Sequence, residues 1–242
     1  MADPESVPDA PRWYTFRAYL VHLYTASGVV AAFLAVMALM EEVPDPRWVF
    51  LWLAVAGIID ATDGPLARRW NVKKFAAGVQ GRVIDNIVDY LTFTFIPLLL
   101  IWRMAWVPEP ALLWLFPALL TSIVAFARIG AKQEAEGFFL GFPSYWNLVA
   151  FYIGWWVAYY GTLVPALLVL VLAVLTLMPV RFIYPNLTPK PWRGVVLWGG
   201  WIWLAVLLIS LPWFPEAPLW LFWVSLIYPA GYVVLSWWLL RD

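Results

Sequence analysis

The stretch that decides the fold is Ile58–Tyr90, IIDATDGPLARRWNVKKFAAGVQGRVIDNIVDY, which joins two apolar segments through a basic turn. At 100° per residue, one face of the first segment carries two aspartates, two small residues and an arginine: Asp60, Asp63, Gly64, Ala67 and Arg68. In the second segment Gly81, Asp85 and Asp89 follow one another at intervals of four residues, which also places them on one helix face. Two antiparallel helices joined by so short a turn would bring the four carboxylates together near a membrane surface.

The composition around this stretch excludes a soluble globular protein. Of the 242 residues, 64% are hydrophobic and 12% are charged, whereas a soluble domain has roughly 25% charged residues. The formal net charge is zero, so no basic excess points to a nucleic-acid partner. Because the chain contains no cysteine, disulfides and thiolate metal sites are excluded.

The hydropathy pattern predicts an all-α polytopic membrane helix bundle of about eight transmembrane helices, since about 20 apolar residues cross a bilayer as a helix. The predicted spans are 18–40, 48–67, 82–102, 111–127, 145–160, 163–178, 195–211 and 219–240. Thirteen of the fifteen Lys and Arg residues fall on one side of this division, and only Arg47 and Arg103 fall on the other. The positive-inside rule therefore predicts cytoplasmic N- and C-termini. We expect one integral-membrane domain over residues 1–242, with an interfacial segment at 1–17.

The clustered aspartates predict a metal centre. Four carboxylates cannot stay ionised side by side unless cations neutralise them, and oxygen ligands without His or Cys favour Mg²⁺ or Mn²⁺. The predicted ligands are Asp60, Asp63, Asp85 and Asp89. Two such ions about 3.5–4 Å apart would suit phosphoryl transfer. Gly64 and Gly81 would leave room for a bulky ligand, and the guanidinium of Arg68 matches a phosphate group.

These eight positions, D-x-x-D-G-x-x-A-R followed by G-x-x-x-D-x-x-x-D, resemble the motif of the CDP-alcohol phosphatidyltransferase family. The gap Arg69–Gln80 has twelve residues, which is longer than is usual in the family. That longer gap resembles the bacterial phosphatidylcholine synthase branch. The sequences TASG at Thr25–Gly28 and GFPSYWN at Gly141–Asn147 resemble the same branch.

The resemblance implies transfer of a phosphatidyl group from CDP-diacylglycerol to choline, with release of CMP. It implies that Asp89 is the general base toward the choline hydroxyl, and that Asp85 and Arg68 assist. We expect direct attack by that hydroxyl, because the motif contains no serine or cysteine nucleophile. The residues that it implies for nucleotide binding are Gly64, Ala67, Arg68 and Gly81, with His22 and Thr25 of the first span as further candidates. The implied location is the bacterial inner membrane, with the site facing the cytoplasm. The expected partners are CDP-diacylglycerol, choline and membrane lipid, with no nucleic acid. The chain could also form a homodimer.

Choline carries a quaternary ammonium group, which proteins usually hold against aromatic faces. Tyr90 directly follows Asp89, and Tyr145 and Trp146 open the fifth predicted span, so these three aromatic residues are the candidates for choline binding. The alternative for each is an anchor at the membrane interface, since the chain has 19 Trp, 11 Tyr and 15 Phe residues.

Two other functions remain open on the sequence. The acceptor alcohol of a phosphatidyltransferase could instead be serine, inositol or glycerol phosphate, and acceptor identity depends on the resemblance. A divalent-cation transporter would also use membrane aspartates, but it would place them nearer the middle of the bilayer, usually with repeat symmetry.

Overall fold

The structure, a computed structural model, describes residues 12–128, 132–133 and 137–240. Its helices are α1 (Arg12–Met40), α2 (Pro46–Arg69), α3 (Val72–Phe75), α4 (Gly81–Asp89), α5 (Ile96–Arg103), α6 (Leu112–Ala127), α7 (Trp146–Tyr160), α8 (Leu163–Leu177), α9 (Trp192–Ser210), α10 (Leu219–Ser225) and α11 (Ile227–Leu239). A π-helical segment, Tyr90–Phe95, joins α4 to α5. Residues 1–11 of the predicted interfacial segment lie outside the described residues, and Arg12 to Arg17 form the start of α1.

Within the described residues, five helical segments are long and apolar enough to cross a membrane. They are Arg12–Met40, Pro46–Arg69, Gly81–Arg103, Trp192–Trp213 and Leu219–Leu239. Three more helices, α6, α7 and α8, have 16, 15 and 15 residues. The prediction of an all-α polytopic bundle is confirmed. The count of eight spans and the orientation of the termini stay predictions.

The described residues also form a small antiparallel sheet, which the hydropathy pattern did not predict. Its strands are β1 (Lys132–Gln133), β2 (Phe138–Leu140) and β3 (Arg181–Ile183), in the order β1-β2-β3. The Tyr232 hydroxyl of α11 donates a hydrogen bond to the Ile183 carbonyl, which ties the sheet to the last helix. At its other side, the Gly141 amide donates to the Val180 carbonyl at 2.7 Å.

The largest hydrophobic core lies around the part of α2 that precedes the aspartates. Phe50 of α2 meets Phe151 of α7 and Phe214 edge-on, with ring centroids 5.1 Å apart in both pairs. Trp155 is fully buried nearby, and its Nε1 donates to the Ala217 carbonyl at 3.0 Å. Edge-to-face aromatic pairs are favourable beyond their buried area. This packing gives α2 and α7 fixed positions.

Close packing of α1 against α4 positions the motif helices. A Cβ at Gly28 of α1 would lie 2.6 Å from Cγ1 of Val88 in α4, so the observed approach depends on a glycine there. The basic turn between α2 and α4 contains α3, whose Val72 packs with Ala18 and Val21 of α1 in a second small hydrophobic cluster. The turn is therefore packed against α1 and is not a free loop.

Candidate active site

Three of the four predicted metal ligands meet in the structure. One carboxylate oxygen from each of Asp60, Asp85 and Asp89 lies within 4.8 Å of the others. Helix α2 supplies Asp60, and α4 supplies Asp85 and Asp89 one turn apart. Oxygens that share one Mg²⁺ at about 2.1 Å lie no more than about 4.2 Å apart. Small side-chain rotations would bring these oxygens to that distance, so the cluster fits a hard divalent cation.

The fourth predicted ligand, Asp63, lies one turn beyond Asp60 on α2. It is 7% exposed and lines the same pocket as Asp85, but among the described residues it is not part of the three-carboxylate group within 4.8 Å. The sequence predicted four carboxylates in one cluster. The structure brings three together and places the fourth in the pocket that Asp85 also lines.

A first pocket of about 690 Å³ opens between α1, the end of α2, the basic turn and the start of α4. All six residues predicted for nucleotide binding line it: His22, Thr25, Gly64, Ala67, Arg68 and Gly81. The space exists partly because two lining residues lack side chains. A Cβ at Gly64 would have only Nη1 of Arg68 within 4 Å, at 3.5 Å. Lys73 and Arg82 also line this pocket, which adds positive charge.

His22 is the most informative side chain of the first pocket. It is 8% exposed, and its Nε2 has no hydrogen-bond partner among the described residues. Buried polar atoms are normally paired, so this nitrogen is suited to a bound ligand. The ring lies so close to Gly81 that a Cβ there would be 2.8 Å from Cε1 of His22. By contrast, the Thr25 hydroxyl already donates to the Val21 carbonyl at 3.2 Å.

A second pocket of about 230 Å³ lies on the side of Asp60 and Asp89. Its aromatic lining comes from four parts of the chain: Phe93, Phe126, Phe139, Phe142, Tyr145 and Tyr184. Of the three residues predicted to bind choline, Tyr145 is in this lining. Asp60 and Asp89 line the same pocket.

Tyr90 and Trp146 lie beside the second pocket. The Tyr90 ring meets Phe126 edge-on at 5.7 Å. Trp146 is fully buried; its ring meets Phe142 at 5.3 Å, and its Nε1 donates to Oγ of Ser122 at 2.8 Å. Neither is among the described residues that line the pocket. Both touch residues that do.

Sequence reasoning missed Phe139 and Tyr184. Phe139 lies in β2, and Tyr184 directly follows β3. These segments are separated by two helices, and strands of three residues have no recognisable periodicity. The one signal available was the pair of aromatic clusters FF and FIY in loops otherwise rich in charge and proline.

The aspartate cluster borders both pockets. Asp85 lines the first pocket, and Asp60 and Asp89 line the second. Arg82 lines both. A ligand in one pocket and a ligand in the other would therefore meet at the carboxylates, which is the arrangement needed for transfer of a group between them.

No family model matches the chain. Curated relatives do. It is 39% identical over 170 residues to the phosphatidylcholine synthase of Pseudomonas aeruginosa, covering 70% of this chain and 69% of that protein. It is 34% identical over 210 residues to the phosphatidylcholine synthase of Rhizobium johnstonii, covering 84% and 82%. A more distant relative of the same name, from Borreliella burgdorferi, is 32% identical over 176 residues and 72% of each chain.

Proposed function

The chain belongs to the bacterial phosphatidylcholine synthase family, and on that premise we propose that it transfers the phosphatidyl group of CDP-diacylglycerol to choline and releases CMP. The observation that carries the proposal is the aspartate cluster between two pockets. Displacement at phosphorus requires the attacking and leaving oxygens on opposite sides of the reacting atom. Two pockets that meet at one set of carboxylates supply those two sides.

The first pocket takes the cytidine diphosphate part of the donor in this proposal. Gly64, Ala67 and Gly81 give space for the nucleotide, and Arg68 pairs with the diphosphate. His22 offers the nucleotide its Nε2, which has no hydrogen-bond partner in the part of the chain that the structure describes, and Thr25 lies one turn further along α1. The volume of about 690 Å³ is within the range of pockets that hold ligands of this size.

The metal proposal follows from the donor set. Asp60, Asp85 and Asp89 would hold Mn²⁺ or Mg²⁺, and Asp63, next to Asp85 in the first pocket, would complete a site for two ions. When bound, the ions would neutralise the diphosphate and stabilise the charge that develops on its oxygens. The carboxylates themselves set where the reacting phosphorus lies.

The transfer step is a direct displacement. The choline hydroxyl oxygen forms a bond to the phosphorus that bears the diacylglycerol, and the bond from that phosphorus to the bridging oxygen of the diphosphate breaks. CMP leaves with the electron pair of the broken bond. Asp89, which lines the acceptor side, accepts the hydroxyl proton as general base. The motif contains no serine or cysteine nucleophile, which favours direct attack over a covalent intermediate.

In this proposal choline binds in the second pocket. Tyr145, one of the three aromatic residues suggested by the sequence for choline binding, lines that pocket. Tyr90 and Trp146 contribute indirectly in this proposal. They contact Phe126 and Phe142, and so help to position two rings that line the pocket. A ring-lined pocket suits an ammonium group that cannot donate hydrogen bonds.

We place the enzyme in the bacterial inner membrane with both pockets facing the cytoplasm. The basic turn, which lines the first pocket, lies on the side that carries most of the Lys and Arg residues. Membrane lipid would surround the helices, and a homodimer is the assembly to test. A divalent-cation transporter is not favoured, because the curated relatives are named as synthases.

The experiment that tests this function measures both products. Purified protein in lipid nanodiscs receives CDP-diacylglycerol, Mn²⁺ and labelled choline, and CMP and labelled lipid are counted. We expect choline-dependent CMP release with one phosphatidylcholine formed per CMP, and loss of both products in Asp85→Asn. CMP release that is independent of choline would contradict the proposal.

A further inference from the structure

We propose that the three-stranded sheet selects the acceptor. In this inference Phe139 of β2 and Tyr184 after β3 form an aromatic corner that holds the quaternary ammonium of choline and disfavours alcohols with a primary ammonium. The inference rests on the proposed function, since it assigns a selective contact within the acceptor pocket. It adds two residues outside the motif helices to the binding site.

The two rings are neighbours in the second pocket. The centroids of Phe139 and Tyr184 lie 5.4 Å apart with the planes at 81°, and both residues line the pocket that also contains Asp60 and Asp89. One ring therefore presents its edge to the other, in the same pocket as two of the carboxylates. Across the pocket, Tyr145 packs against Phe93 with centroids 5.9 Å apart.

The sheet fixes the positions of both rings. Phe139 stacks on Phe182 of β3 at 5.7 Å and 13°, and the two residues are also paired across the strands. The Tyr184 amide donates to the Gly137 carbonyl at 2.9 Å, which extends the same pairing by one residue. These contacts are independent of α2 and α4.

The chemistry of this corner favours a methylated ammonium. A quaternary ammonium is attracted to aromatic faces and loses no hydrogen bonds to water when it enters a ring-lined pocket. A primary ammonium must give up its hydrogen bonds to water there, and aromatic rings replace them poorly. Arg82 and Arg128 also line the pocket and offset the negative charge of Asp60 and Asp89, so the rings supply the attraction for the cation.

The test compares acceptor kinetics of two ring-removing variants, Tyr184→Leu and Phe139→Leu, with those of the wild type. Choline, N,N-dimethylethanolamine and ethanolamine are the acceptors, and tetramethylammonium is a competitive inhibitor that needs no chemistry. We expect KM for choline and the inhibition constant of tetramethylammonium to rise about five- to thirtyfold. KM for CDP-diacylglycerol should change by less than about twofold, and the preference for choline over ethanolamine should fall.

Two matched controls separate the ring from other effects. Tyr184→Phe keeps the ring and should stay within about threefold of the wild type in KM for choline. Tyr160→Leu removes an exposed tyrosine at the end of α7 and should change neither constant. If Tyr184→Leu does not purify as folded protein, Tyr184→Met fills similar space without a ring and carries the test.

The outcomes distinguish this inference from the function on which it rests. A wild type that is active with choline, combined with folded Tyr184 and Phe139 variants of unchanged choline KM and unchanged tetramethylammonium inhibition, would overturn the inference alone. An equal loss for choline and ethanolamine would also overturn it. A wild type without transfer to any alcohol would overturn the proposed function.

Discussion

Asp85 and Asp89 stand one turn apart on α4, yet they line different pockets. Asp85 faces the pocket with His22 and Arg68, and Asp89 faces the pocket with Tyr145. Their carboxylate oxygens still lie within 4.8 Å of each other and of Asp60. A single helical turn therefore joins the site proposed for the nucleotide to the site proposed for the acceptor.

The first prediction concerns metal dependence. Removal of divalent cations with EDTA should abolish CMP release, and added Mn²⁺ or Mg²⁺ should restore it, because the clustered carboxylates need cations between them and the diphosphate. Asp60→Asn and Asp85→Asn should each lower kcat/KM roughly a hundredfold or more at saturating metal. Glu42→Gln, in the loop after α1, is the acidic control and should keep full activity. Full activity of the EDTA-treated enzyme would refute the metal site.

The second prediction concerns the packing of His22 against Gly81. Gly81→Ala places a Cβ about 2.8 Å from Cε1 of His22, so the imidazole must move within the first pocket. We expect KM for CDP-diacylglycerol to rise roughly tenfold, with KM for choline little changed. Gly57→Ala on α2 is the control, since a Cβ there has no neighbour within 4 Å. Equal kinetics for the two alanine variants would show that the His22 position is unimportant for the donor.

The third prediction concerns the turn at Gly141, which follows β2 and packs against the end of α8. Gly141 has φ +84°, and a Cβ there would overlap the backbone carbonyl of Thr176. Gly161 has nearly the same φ, +83°, with nothing within 4 Å of the added Cβ. Gly161 also has ψ −173°, a backbone conformation essentially restricted to glycine, so Gly161→Ala should cost only a backbone strain of about 1–3 kcal/mol. Gly141→Ala should cost about 1–3 kcal/mol more, measured as a lower midpoint of thermal unfolding in detergent. Similar midpoints for the two variants would mean that the backbone contact at Gly141 is not as described.

The fourth prediction separates Trp146 from Tyr145. Trp146→Phe removes the hydrogen bond to Ser122, so the free energy of unfolding should fall by about 1–3 kcal/mol, while KM for choline stays within about threefold. Tyr145→Leu removes a ring that lines the pocket and should raise KM for choline about five- to thirtyfold. Thermal unfolding and acceptor kinetics on the same preparations check both. The opposite pattern would make Trp146 the direct contact.

The motif residues were predictable from the sequence because their positions depend on local geometry. Intervals of three and four residues put Asp60 and Asp63 on one helix face and Asp85 and Asp89 on another, whatever the rest of the chain does. The short turn between the helices then leaves little choice but to bring the faces together. The all-α membrane bundle was predictable for a similar reason, since hydropathy is read within each segment.

The second pocket was less predictable because it depends on pairing between distant segments. Phe139 and Tyr184 come together only when β2 pairs with β3 across two helices. Periodicity carries no signal for strands of three residues. Trp146 is an example of neighbours in sequence that lie in different surroundings. Its position next to Tyr145 suggested that both bind choline, but its indole is buried in the core. The separation of Asp63 from the other three carboxylates likewise depends on side-chain placement that helix spacing does not determine.

An acceptor competition would show directly which alcohol receives the phosphatidyl group. Purified protein in nanodiscs with CDP-diacylglycerol and Mn²⁺ receives choline, serine, inositol and glycerol phosphate together at equal concentrations, and mass spectrometry identifies the lipid products. We expect phosphatidylcholine as the lipid product, and its loss in Asp85→Asn. A different phospholipid as the main product, lost in the same variant, would contradict the assignment of choline as the acceptor.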